Sequence, residues 1–242
     1  MKLQQLIERS KRSFGEDPDK LPSAHSSDPF VRVHSTPQLV LEPIWEHPID
    51  TIGEGPLYQE YIAAHPDYNG IFLRQKVAKR LYAAAKNLPS HLNLVLRAGH
   101  RPLIVQRKLL KELVERYLSE HSHVTTDDAV TYARIFVDDP DIKIPSHVCG
   151  SAVDVDVFDT NTGRLVDFGL PMNTNSEKAY LHTDKINETQ HVNRMLLLEA
   201  MLKAGFAPIY AEWWHFSYGD RVWAYFYDEP RSLYDIQEPV WA

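Results

Sequence analysis

The segment Ser146-His147-Val148-Cys149-Gly150-Ser151-Ala152-Val153-Asp154-Val155-Asp156-Val157-Phe158 decides how this chain is read. Successive strand residues point to opposite faces, so Val153, Val155 and Val157 share one face while Asp154 and Asp156 share the other. The pattern over Ala152 to Phe158 predicts a half-buried strand with an acidic face. His147 stands seven positions before Asp154. That odd spacing would put the two on opposite faces of one straight strand, so the bend that Gly150 offers is what can bring them together.

Outward from this strand, Leu73 to Leu88 carries Leu73, Val77, Ala78, Leu81, Ala84 and Ala85 at helical spacing, and Pro89 follows as a stop. Leu92 to Leu96 reads as a short buried strand that runs into Gly99-His100-Arg101-Pro102, a loop punctuated by Gly and Pro. A helix is expected from Leu103 to Ser119 and another from Thr126 to Val137, with Thr125 or Thr126 as its cap. On the C-terminal side, Asp159 to Lys185 is a long polar stretch whose length suggests a loop around a site. Glu188 to Ala204 reads as a helix closed by Gly205. The aromatic segment Phe206 to Tyr227 reads as two or three antiparallel strands. Residues 1 to about 35 show no sustained apolar period. These elements imply an α+β fold: a single domain with a small antiparallel sheet flanked by helices, residues 1–50 forming an arm packed on the core and residues 51–242 the catalytic domain.

Composition narrows the function. The 242 residues, 43% of them hydrophobic, suffice for a proper core. A formal charge of −7 argues against nucleic acid as a partner, because affinity for phosphates needs clustered Lys and Arg. The first twenty residues are charged throughout, and no run approaches the roughly 18 apolar residues of a membrane span, so neither a signal peptide nor a membrane partner is expected. Cys149 is the only cysteine, which excludes an internal disulfide and a multi-cysteine zinc site and points to the cytoplasm. No motif specifies an oligomeric state.

The chemistry concentrates in His147 to Asp154 and in Glu212-Trp213-Trp214-His215. A catalytic zinc takes three N or O ligands and keeps a position open for water; two histidines and one carboxylate meet that demand and leave the second carboxylate as a base. Glu212 and His215 are three apart, so a bulge or a strand start is expected between them. Taken singly these residues are ordinary, since acidic strand faces are usually wet and adjacent tryptophans usually core. Other readings stay open on residue types: a non-haem iron triad built from His182, Asp184 and His215, a thiol peptidase using Cys149, or a zinc-bearing binding module without turnover.

At these residues the sequence resembles the zinc D-Ala-D-Ala dipeptidases of the vancomycin-resistance type, within the wider group of D,D-carboxypeptidase and hedgehog-like folds. The family's motif S-x-H-x-x-G-x-A-x-D is matched by His147, Gly150, Ala152 and Asp154, its E-W-W-H by Glu212 to His215, and its G-Y-R-P by Gly99-His100-Arg101-Pro102. The resemblance covers about residues 55 to 220. It implies one zinc ion per chain held by His147, Asp154 and His215, with Glu212 as general base, Arg101 stabilising the transition state, Ser146 and Asn173 at substrate positions, and a small D-amino-acid peptide related to peptidoglycan as substrate. Two departures concern the substrate. Pro145 replaces the motif's first serine, although Ser146 sits beside it, and Asn173 stands where the family has the aspartate that pairs with the substrate's amino group. An amide lacks the charge-assisted part of that bond, which leaves a D,D- or L,D-carboxypeptidase acting on longer muropeptides as the runner-up.

Overall fold

In chain order the elements of the computed structural model are α1 (Leu3–Gly15), β1 (Phe30–Arg32), β2 (Leu39–Leu41), α2 (Glu54–Ala64), β3 (Phe72–Arg74), α3 (Gln75–Asn87), β4 (Leu92–Ala98), α4 (Leu103–Glu120) and α5 (Thr126–Ala133). Then follow β5 (Ala152–Asp159), β6 (Arg164–Leu165), α6 (Glu188–Lys203), β7 (Ala207–Pro208), β8 (His215–Ser217) and α7 (Arg221–Phe226). The structure describes residues 3–15, 18–43, 46, 53–174 and 176–239; the parts of the expected N-terminal arm at 1, 2, 16, 17, 44, 45 and 47–50 lie outside them.

The predicted α+β fold is present. The main sheet has the order β2-β4-β5-β8-β7, with β6 paired onto the end of β5 as a short hairpin. All its pairs are antiparallel except β2 with β4, an edge pair that is parallel. A second, two-stranded sheet joins β1 to β3. Val153, Val155 and Val157 of β5 are fully buried and meet Leu81, Leu94, Leu96, Leu197, Met201 and Phe216 in one core.

Helix ends follow local chemistry. Thr125 and Asp128 form a reciprocal capping box at the start of α5, and Asn187 with Gln190 does the same for α6. α6 closes at Gly205, whose φ of +85° is the left-handed conformation a helix stop requires.

Three expectations are corrected. The acidic face of β5 is not wet, because Asp154 and Asp156 are both buried, each beneath a cationic or imidazole partner. Residues 3–15 form a helix whose Leu6 and Ile7 are buried, and Arg9 Nη1 donates to the Phe226 carbonyl of α7; the apolar residues at 3, 6, 7 and 14 fall at helical spacing, a short period that the reading of residues 1 to about 35 passed over. The aromatic segment supplies two strands and then turns into α7, because Asp220 Oδ1 accepts the Trp223 amide at 2.7 Å and caps a helix there.

What matters for the site is where β5 begins and what lies beside it. Asp154 pairs in register with His215 on β8 and with Ala98 on β4, and the β4–β5 register slips between Leu96 and Ala98. At that irregularity the chain leaves β4 and enters Gly99-His100-Arg101-Pro102.

Candidate active site and metal centre

His147 lies in a turn ahead of β5. Its backbone carbonyl accepts the Gly150 amide at 3.0 Å, and Gly150 has φ of +70°. A Cβ at Gly150 would come 2.2 Å from the Phe30 ring, so the turn requires glycine twice over. This bend carries His147 round to the side of β5 where Asp154 points, as the odd spacing demanded. On the other flank, the predicted irregularity is a strand start: Glu212 sits in a turn and β8 opens at His215, whose amide reaches the Glu212 carbonyl.

The three expected ligands therefore converge. His147 Nε2 is 3.3 Å from Asp154 Oδ2, His215 Nδ1 is 3.1 Å from Asp154 Oδ1, and one donor atom from each residue lies within 4.8 Å of the others. Among the described residues this is the one group of three or more such side chains able to hold a metal. The donor set fits zinc. Because a carbonyl can only accept, His147 Nδ1 must donate to the Gly99 oxygen at 2.8 Å, which leaves Nε2 with its lone pair toward the cluster.

The charges in the cluster are tightly linked. Burial would raise the Asp154 carboxyl, yet the two histidines hold it well below the usual carboxylate range. Burial would lower His215, yet its hydrogen bond to Asp154 and the charges of Asp154 and Glu212 push it up to about 9. Glu212 Oε2 is 3.8 Å from His215 Nδ1. Although 31% of the Glu212 side chain is open, the protein around it displaces enough water to push its carboxyl up to about 7, with His215 opposing and Asp154 adding to the rise.

These residues face a cleft of about 380 Å³ that is also lined by Arg101, Gln106, Asp138, Lys143, Pro145, Ser146 and Asn173. Every sequence-predicted site residue thus lies on one cleft. Asn173 adopts a left-handed φ of +57°, a conformation that asparagine tolerates better than most residues. Asp156 belongs elsewhere, with its Oδ2 3.5 Å from Arg97 Nη2.

The model of the D-ala-D-ala dipeptidase family matches residues 63–235. A D-alanyl-D-alanine dipeptidase of a Synechocystis species is 30% identical over 78% of this chain and 92% of its own length. The chain belongs to the D-Ala-D-Ala dipeptidase family. The family's enzymes from Enterococcus faecium and Escherichia coli match at 30% and 31% identity over 38% and 31% of this chain, which is 42% and 39% of each relative. Among solved structures, the vancomycin-resistance D,D-pentapeptidase VanY in complex with Zn(II) is 19% identical, with a TM-score of 0.39 over 65% of this chain and 80% of that one.

Sequence reasoning missed the side chains that hold this family member's Arg101. Arg101 is buried, and its Nε donates to Glu54 Oε1 at 2.8 Å, its Nη2 lies 2.7 Å from the same oxygen, and its Nη1 donates to Gln106 Oε1 at 2.8 Å. Tyr58 and Tyr68 both donate to the His100 carbonyl, so these tyrosines brace the loop from beneath. A buried arginine calls for an acidic partner, but no spacing rule picks Glu54 from the chain's 33 acidic residues. The iron triad is not assembled, since Asp184 is largely exposed beside Lys185 and neither it nor His182 joins the cluster. Cys149 is fully buried, and burial pushes its thiol up to about 12, which disarms it as a nucleophile.

Proposed function

We propose that this chain is a zinc-dependent peptidase that hydrolyses D-Ala-D-Ala or a related D-amino-acid dipeptide. The observation that carries the reading is the convergence of His147, Asp154 and His215 beside Glu212, with Arg101 on the same cleft. Zinc bound by His147, Asp154 and His215 supplies a Lewis acid that acidifies water and polarises a carbonyl. Glu212, open to the cleft and tuned toward neutrality, takes the proton of the attacking water at its carboxylate and returns it to the leaving amine. Arg101 stays cationic, since Glu54 outweighs the effect of burial, and it steadies the negative charge that grows on the carbonyl oxygen. Ser146 and Asn173 line the cleft where the ends of a short peptide would lie; residues 51–242 supply the metal-binding and catalytic groups, and Pro18 and Asp19 of the 1–50 extension also line the cleft. A cytoplasmic location fits a chain whose lone cysteine is a buried thiol, and peptidoglycan-derived peptides as substrate fit its similarity to D-alanyl-D-alanine dipeptidases.

The experiment follows release of D-Ala from D-Ala-D-Ala and from an N-blocked analogue by the zinc-loaded protein, with Glu212→Ala as control. Hydrolysis of the free dipeptide, lost in the variant by a factor on the order of 10²–10⁴, is the expected result. Preference for the blocked analogue moves the assignment to carboxypeptidase. Tight zinc binding without turnover of either substrate refutes the reading.

A further inference from the structure

Buried arginines need their charge met, and how Arg101 is met is informative. One edge of its guanidinium, Nε and Nη2, faces the carboxylate of Glu54 in the first turn of α2. Nη1 faces a neutral amide, Gln106 Oε1 on the first turn of α4. Gln106 is itself 1% exposed, and its other end donates Nε2 to the Asp138 carbonyl at 2.6 Å. An amide turned the other way would set its NH₂ against a cation and its oxygen against a carbonyl, so both bonds fix one orientation. Asp138 and Gln106 line the same cleft as Arg101.

We infer that Gln106, together with Glu54, is a positioning residue of the reaction: it fixes the Arg101 guanidinium relative to the metal ligands and ties it to the Asp138 wall of the cleft. The choice of groups has a reason. Glu54 supplies the one negative charge that burial of Arg101 demands. Gln106 supplies a second acceptor without a second charge, so the guanidinium is held on two edges while its positive potential toward the cleft is preserved. Glu54 is not part of the metal cluster, and the Gln106 amide is engaged at both ends, by Arg101 and by the Asp138 carbonyl, so both act through Arg101. The inference rests on the proposed role of Arg101 at the oxyanion, where an error of about 1 Å costs on the order of 10²-fold in rate.

The test is Gln106→Met, which keeps the volume and removes both hydrogen bonds, assayed as zinc-loaded protein against D-Ala-D-Ala. Expected is a fall in kcat of about 10- to 100-fold with KM within about threefold and zinc stoichiometry unchanged; loss of folded protein would also lower apparent kcat at constant KM, but it would lower the zinc stoichiometry in proportion. A folded, zinc-loaded Gln106→Met with wild-type kcat overturns the inference. A second measurement needs no turnover: nitrogen-15 spectra of the arginine side chains in wild type and variant. A clamped guanidinium gives separate, slowly exchanging Nη signals for Arg101, which merge in Gln106→Met; merged signals already in the wild type overturn the inference. If the wild type cleaves no D-Ala-D-Ala, the functional reading fails while the spectra still decide the clamp.

Discussion

Arg194→Met should loosen one whole wall of the molecule. Arg194 on α6 is 1% exposed, and its Nε and Nη2 both donate to the Phe168 carbonyl, Nη1 to that of Tyr180 and Nη2 also to that of Lys178. Burial lowers its pKa to about 10, with the nearby charge of Asp167 opposing, so the group remains a cation at neutral pH. It is thus a buried charge met by carbonyl dipoles, pinning a loop that has little regular structure of its own. Methionine fills similar space and offers no donor. Three carbonyls are then stranded at about 1–3 kcal/mol each, and because a surface loop can turn some of them to water the lower end applies, about 3 kcal/mol in all. In a chain of this size each kcal/mol shifts Tm by roughly 2–4 °C, so thermal unfolding should come about 6–12 °C earlier. The same loop carries Met172 and Asn173, and Phe168 stacks on Trp213 at 4.2 Å. Limited proteolysis should therefore gain a site between 167 and 180, and KM should rise more than kcat falls. A Tm within about 2 °C of wild type and an unchanged digestion pattern would refute the reasoning.

Three further outcomes are expected. His215 is raised to about 9 in the metal-free protein, so its contribution to stability is complete below the unfolded value of about 6.5 and fades as pH climbs through 9. Zinc needs the neutral ring, hence its binding at pH 7 should release about one proton, and none above about pH 10, as read by calorimetry in buffers of different ionisation enthalpy; no release at pH 7 contradicts this. Gly150→Ala places a β-carbon in a left-handed turn, at a cost of about 1–2 kcal/mol, and against a Phe30 ring already held by Arg74 at 4.1 Å and His100 at 4.7 Å. Both stability and zinc affinity should drop, and a variant that keeps its zinc under a competing chelator as wild type does would show that the bend is dispensable. Cys149, buried and pushed up to about 12, should resist a disulfide reagent at pH 8 until the protein unfolds, whereas modification within seconds in the native state would contradict its placement.

The sequence made some of this legible because certain constraints are local. The valine–aspartate alternation of β5 is a property of consecutive residues, and so are the bend at Gly150 and the strand start after Glu212, which an odd spacing and a three-residue spacing demand if His147, Asp154 and His215 are to meet. Gly99 and Pro102 marked only a loop; Arg101 was singled out by that loop's resemblance to the family's G-Y-R-P. Most of the misses share one cause: they depend on what packs on top. Asp154 and Asp156 look wet in the alternation, and they are buried because His147 and His215 close over Asp154 and the Arg97 side chain meets Asp156. Residues 3–15 carry their own helical spacing and pack on α7, a helix that Asp220 caps where the aromatic segment had read as strand. Glu54 stands 47 positions before Arg101, and it meets the guanidinium only because α2 and α4 pack together. The expected ligands fall at spacings a strand and a turn dictate, whereas the residues proposed to position Arg101 need only share its neighbourhood. A clamp such as Glu54 and Gln106 therefore becomes visible only once the fold is known, and it is the part of the site where substitutions outside any motif should alter rate.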